Sequence, residues 1–204
     1  MTPPDTAVPD IESRRRGRVP TVLQMENLEC GAASLAMILG YHGRRVPLAT
    51  LRDQCNVSRD GATAGQIARV AKEYGLEPHA FKSELSGLPR LATPFIAYWG
   101  FNHFVVVEGW DAHHVFINDA AAGPRKVTWA QMDKDFTGIA LTFERTEAFT
   151  PGGKRPSSLA RLPRLLKGHT WPLVFAGIIG VFYAIPGIAA AGFLSFFINT
   201  ILAN

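Results

Sequence analysis

From Thr170 to Asn204 the chain carries no Asp, Glu, Lys or Arg. A bilayer core takes about 20 apolar residues in helical form, and this run is longer. Buried helices of soluble domains rarely run so far without a charge. Gly residues and Pro186 inside the run are tolerated in membrane helices but discourage a soluble helix of that length. Residues 170–204 therefore read as a first transmembrane segment, and everything else the chain encodes has to fold ahead of it. Just before the run, Leu159, Leu162, Leu165 and Leu166 are interspersed with Arg161, Arg164 and Lys167. That is the pattern of a short basic amphipathic segment lying at a membrane interface, over 159–169. Basic residues flanking a span mark its cytoplasmic side, so the domain ahead of it is expected in the cytoplasm.

The thiol content agrees. Only Cys30 and Cys55 occur, and the polar, Pro-containing N-terminus has no apolar signal region, which fits a reducing compartment. A net charge of +4 and a pI near 9.3 raise the question of nucleic acid. The charge is not arranged for it. Arg14, Arg15, Arg16 and Arg18 sit in the N-terminal segment and the second basic group flanks the span. Neither is interleaved with aromatic residues that could stack on bases, so no nucleic-acid partner is expected. Residues 1–17 read as a polar tail, and TPGGKRPSS makes 149–158 a linker by composition.

Between them, 18–148 reads as one folded domain. Cys30 to Leu39 (CGAASLAMIL) predicts a buried helix with Gly40 as its stop. Pro47 to Cys55 predicts a second helix with Leu48, Leu51 and Cys55 on one face. Thr63 and Gln66 have capping-box spacing ahead of a third, which Gly75 closes. PFIAYW, HFVVVEGW, VFIN and IALTF then predict strands at 94–99, 103–110, 115–118 and 139–143, with residues 111–114 short enough to close a hairpin. Helices first and antiparallel strands afterwards make an α+β domain.

Cys30 opens the first helix. Free N–H groups and partial positive charge at a helix N-terminus stabilise a thiolate, and the same N–H groups can hold a developing oxyanion. A small buried residue in an Ala-rich helix is the plainer alternative. Cys55 lacks that setting and reads as core. A cysteine nucleophile needs a base, normally an oriented histidine. His42 lies roughly 18 Å along the helix at about 1.5 Å per residue and is out of reach; His113 and His114 fall in a turn, His169 borders the span, and His79 lies in a polar stretch. His103 opens the most apolar strand of the chain. Asp119 ends the next one, but an ideal ladder closed at 111–114 places it opposite Val106, on the wrong face for His103. A bulge is needed to bring the two together, and Asn118 and Asn102 remain substitutes as orienting group. Gln24, six residues before Cys30, could donate a side-chain hydrogen bond to an oxyanion.

Together QMENLECGAASLAMILGYHG, NHFVVV and IND resemble the papain-like leader-peptidase domain at the N-terminus of bacteriocin- and peptide-exporting ABC transporters. The resemblance covers residues 20–144, and the apolar run falls where that family enters its membrane domain. It implies a papain-like cysteine peptidase fold with Cys30 as nucleophile, His103 as base, Asp119 as orienting residue and Gln24 as oxyanion donor. It implies cleavage of a precursor peptide after a double-glycine-type leader site, coupled to export across the bacterial inner (plasma) membrane by a homodimeric transporter. Ala120 stands where the family often has Pro. The sequence contains no G-x-x-x-x-G-K-[ST], so it holds no ATP site, and ATP and Mg²⁺ are expected only in a separate or missing nucleotide-binding domain. No metal or other cofactor is expected. Two alternatives stand beside an active peptidase: a catalytically inactive module that docks leaders, and a protein that serves mainly as a membrane anchor.

Overall fold

In the computed structural model, residues 16–59, 61–153 and 170–202 are described. The chain forms two compact units, residues 1–154 and 155–204. The predicted interfacial segment 159–169 and residues 154–158 of the predicted linker lie outside the described residues.

The first unit opens with three helices, α1 (Cys30–Tyr41), α2 (Leu48–Gln54) and α3 (Ala64–Glu73). Strands β1 (Leu76–Lys82), β2 (Phe95–Trp99), β3 (His103–Trp110), β4 (His114–Asp119), β5 (Gly123–Thr128) and β6 (Phe136–Arg145) follow, with helix α4 (Trp129–Asp135) between the last two. All pair antiparallel in one sheet, in the order β1-β6-β2-β3-β4-β5. The central strand β3 is apolar along nearly its whole length because both its faces are covered. Phe104 and Val106 join Leu35, Met37, Ile38 and Leu39 of α1 in one core, while Val105 and Val107 join Trp129 and Met132 of α4 in the other.

The capping box forms as expected: Thr63 Oγ1 accepts from the Gln66 N–H and the Gln66 side chain accepts from the Thr63 N–H. Gly75, at φ +81°, closes α3. Gly40 does not stop α1. The helix runs on to Tyr41, and Gly43, at φ +96°, follows its cap. Gly40 is small for another reason, since a Cβ there would meet Pro20 Cγ at 2.5 Å; the N-terminal segment crosses the helix at that point. Strands β1 and β5 carry no strand pattern in the sequence. Both are edge strands, each carrying a Pro (Pro78, Pro124) that only an edge accommodates, and both lack an apolar alternation. Gly17 N–H donates to the Glu108 carbonyl at 2.8 Å, and Phe149 is buried. Arg45 N–H donates to the Gly152 carbonyl at 2.7 Å, so residues 149–153 pack on the domain.

In the second unit, helix α5 (Thr170–Phe197) continues into a short π-helical turn, Ile198–Leu202. Its stretch Val174–Thr200 has a mean hydropathy of 2.0 and is long and apolar enough to cross a membrane.

Candidate active site

Cys30 is the first residue of α1, and Glu29 before it is the N-cap. The first turn of a helix leaves its N–H groups without intrahelical partners, so the thiol stands beside free donors. The segment leading into it is held by Glu29, a nearly fully buried carboxylate. Its Oε2 accepts from the Met25 N–H at 2.8 Å and the Glu26 N–H at 3.1 Å, and its Oε1 from Arg52 at 3.2 Å. Burial alone would raise the Glu29 pKa; the two backbone donors and the Arg52 guanidinium more than offset it and hold the carboxyl below its ordinary range. That stabilisation is present above the ordinary carboxylate pKa and fades as pH falls through the lowered one. Glu29→Ala is expected to destabilise the domain by about 1–2 kcal/mol by leaving these donors without their acceptor. Thermal unfolding at pH 7 checks it.

His103 is the first residue of β3, presented by a tight turn in which Gly100 (φ +56°) and Phe101 (φ +62°) are both left-handed. Ser34 Oγ donates to the Phe104 carbonyl at 3.3 Å, tying the helix of the thiol to the strand of the imidazole. The Cys30 side chain favours the charged form of the ring, and Nε2 of the ring lies 2.7 Å from Asp119 Oδ1. With Nε2 engaged by the carboxylate, Nδ1 is the ring atom left for the thiol.

The pairing of β3 with β4 explains how Asp119 arrives. From the turn outward, Trp110 faces Val115 and Gly109 faces Phe116. The register then shifts past Glu108, so that Val107 faces Ile117 and Asp119 faces Val105 rather than Val106. One extra residue in β3 returns Asp119 to the face of the hairpin that His103 occupies. The required bulge is there. Asp119 is buried, and besides His103 it accepts from the Ala121 N–H at 2.8 Å and from Arg125 Nη2 at 2.9 Å. Arg125 has no signal in the sequence, because nothing in GPRKVT marks an edge strand facing a site.

The electrostatics follow from these contacts. Burial disfavours the His103 cation, but the hydrogen bonds and negative charges of Asp119 and Cys30 outweigh it and push the imidazole up to about 9. Burial likewise works against the Asp119 carboxylate; His103, the Ala121 N–H and Arg125 overcome it and pull the group down to about 2. At neutral pH this is an imidazolium seated between a carboxylate and a sulfur. Arg125→Gln removes one of the cations that hold Asp119 down, so acid unfolding of the variant is expected to begin at a higher pH than in the wild type. Circular dichroism between pH 2 and 5 reads it.

Gln24 N–H donates to the Ala120 carbonyl at 2.8 Å, which fastens the segment before Cys30 to the residue after Asp119. Its side-chain Oε1 is buried without a hydrogen-bond partner. Cys55 is fully buried, and burial pushes its thiol up to about 11; it is a core residue, as its spacing indicated. His42 packs edge-on against Phe149 at the far end of α1. Cys30 opens onto a cleft of about 560 Å³ lined also by Leu28, Ala62, Tyr98, Phe101 and Ile139. Among the described residues, no cluster of His, Cys, Asp and Glu could hold a metal ion.

Helices packed on an antiparallel sheet, with a helix-initial thiol linked to a strand-initial imidazole and a buried carboxylate, define a papain-like cysteine peptidase. The chain belongs to the Peptidase C39 family, whose model matches residues 18–148. It is 39% identical over 131 residues to the colicin V secretion/processing ATP-binding protein CvaB of Escherichia coli, covering 64% of this chain and 19% of that protein. It is 32% identical over 153 residues to the transport/processing ATP-binding protein ComA of Streptococcus pneumoniae, covering 71% and 21%. Among solved structures it is similar to a double glycine motif protease from an AMS/PCAT transporter in complex with the leader peptide, with 46% identity and a TM-score of 0.64, covering 65% of this chain and 96% of that one. The chain spans about a fifth of the length of these curated relatives.

Proposed function

We propose that this peptidase removes the leader from a ribosomally made, bacteriocin-like precursor after a double-glycine-type site, with Cys30, His103, Asp119 and Gln24 as its working residues. The observation that carries the catalytic part is the His103–Asp119 pair, 2.7 Å apart, with the Cys30 side chain acting on the same imidazole. The substrate class is supported by the 46% identity to a protease of double-glycine motifs.

In this reading the Cys30 thiolate attacks the carbonyl carbon of the second glycine, forming a C–S bond and moving the carbonyl electron pair onto oxygen. The first-turn N–H groups of α1 and the Gln24 amide receive that oxyanion. Collapse breaks the C–N bond, and the His103 imidazolium gives its proton to the departing amine. His103 then takes a proton from water, which attacks the thioester, and the acid and the thiol are released. Asp119 keeps Nε2 engaged so that Nδ1 faces the sulfur. A helical leader lays its apolar face against exposed side chains near the cleft, among them Leu28 and Phe101. Helix α5 is the first membrane segment of a homodimeric exporter of the inner membrane, with the peptidase on the cytoplasmic side; ATP and Mg²⁺ act through a nucleotide-binding domain outside this sequence.

The test is a peptide ending in Gly-Gly with an electrophilic group in place of the scissile amide. It should label the protein at Cys30 alone, as mapped by mass spectrometry, and its Leu-Leu counterpart should label at least about tenfold more slowly. Equal labelling by both peptides would refute the double-glycine preference; labelling at Cys55 would refute the site.

A further inference from the structure

The residue that creates the register of Asp119 is itself tied into the domain by its side chain. Glu108 is the extra residue of the β3–β4 ladder, between Val107 and Gly109, and it is 1% exposed. A carboxylate so deeply buried demands partners, and it has them from two directions. Its Oε1 accepts from Asn118 Nδ2 and from the Val19 N–H, each at 3.1 Å; its Oε2 meets Arg16 Nε at 2.5 Å. Its own carbonyl accepts from the Gly17 N–H at 2.8 Å. Asn118 is the residue before Asp119, and its Nδ2 also donates to Thr21 Oγ1 at 3.1 Å. Three residues beyond Thr21, Gln24 N–H is fixed to the Ala120 carbonyl. One carboxylate thus clamps the bulge, the strand end carrying Asp119 and the N-terminal segment carrying Gln24. Arg16 is the described cation that balances it, and no contact joins Glu108 to the sulfur or the imidazole.

We propose that Glu108 is a positioning residue for the peptidase reaction: its clamped bulge sets the register that places Asp119 against His103, with Arg16 as its counter-ion. A slip of one residue in that ladder turns Asp119 to the opposite face, and the imidazole then loses the carboxylate that favours its charged form. The inference rests on the Cys30–His103–Asp119 peptidase site and is independent of which peptide is cut.

The experiment therefore reads the sulfur–imidazole pair without a substrate. The rate of Cys30 alkylation by iodoacetamide is measured in a Cys55→Ala background at pH 6 and pH 9.5, with folding followed by circular dichroism. A thiolate held by an imidazolium reacts readily at pH 6, whereas at pH 9.5 an ordinary thiol does so too. Glu108→Ala should lower the ratio of the two rates at least about tenfold, while Glu108→Gln, which keeps size and acceptor, stays within about threefold of wild type. Should Glu108→Ala not fold, Arg16→Met decides: it strands a buried charge and should lower the ratio at least about threefold, and adding Glu108→Gln to it should restore the ratio. A role confined to general stability lowers the unfolding temperature and leaves the ratio alone. A wild-type ratio in folded Glu108→Ala, or in Arg16→Met where the alanine variant is unfolded, overturns the proposal.

Discussion

Cys30→Ala is expected to abolish turnover of a double-glycine peptide, lowering kcat/KM by about 10⁴-fold or more, with no loss of fold. The size follows from removing the thiol that forms the covalent intermediate; what remains is binding and oxyanion stabilisation. His103→Ala should come within about tenfold of the same loss, because the thiol then has no base beside it and the leaving amine no acid to protonate it. Groups that act as a unit are not additive, so Cys30→Ala/His103→Ala should be no worse than either alone. Product release followed by chromatography measures all three. Retention of peptide binding by Cys30→Ala separates chemistry from recognition. Equal cleavage by Cys30→Ala and wild type would move the chemistry off this sulfur and leave the domain as a docking module.

The pieces of the site differed in how plainly the sequence showed them. Cys30 and His103 were legible because each sits at the start of an element whose own pattern is strong: an Ala-rich helix after a polar loop, and an apolar strand after Gly100. Asp119 was named, but its register was not derivable. A bulge adds one residue without altering the apolar run that marks the strand, so a ladder counted from the turn gives Val106 as partner where the structure has Val105. The signal for the bulge was present in FVVVEGW as one charged residue inside a strand buried on both faces. Glu108 is tolerable there only with Arg16 and Asn118 beside it, and those lie 92 and 10 residues away in sequence. Arg125 and the Glu29–Arg52 pair escaped for the same reason: ion pairs between distant elements leave no periodic trace. The edge strands β1 and β5 failed the opposite test, since Pro and charge on a sheet edge look like loop until a neighbour supplies the pairing. Gly40 misled because a glycine near a helix end suits either a stop or a close crossing, and here Pro20 made it the second.

Asp119→Ala carries the second large effect, a fall in kcat of about 10²–10³-fold at pH 7, with a change in the shape of the pH profile. In the wild type the imidazole is pushed up to about 9, so activity that needs the imidazolium should persist through neutrality and decline as pH rises through about 9. Deleting the carboxylate removes a hydrogen bond and a charge that raise the His103 pKa, and leaves burial, which lowers it. The alkaline limb of kcat must therefore move down, toward neutral pH. The same contacts govern stability. A raised imidazole pKa contributes fully below its unfolded value of about 6.5 and fades toward 9; the Asp119 carboxyl, held down at about 2, contributes fully above about 3.9 and fades toward 2. The wild-type unfolding temperature should thus owe most to this ion pair between about pH 4 and 6.5, and the deficit of Asp119→Ala relative to wild type should be greatest in that window and shrink outside it. Asp119→Asn keeps an acceptor for the ring but not the charge, and should recover part of kcat while its alkaline limb stays low. An alkaline limb unmoved in both variants would mean that Asp119 does not govern the protonation of His103, and the carboxylate would then be a structural partner of Arg125 and the Ala121 N–H alone.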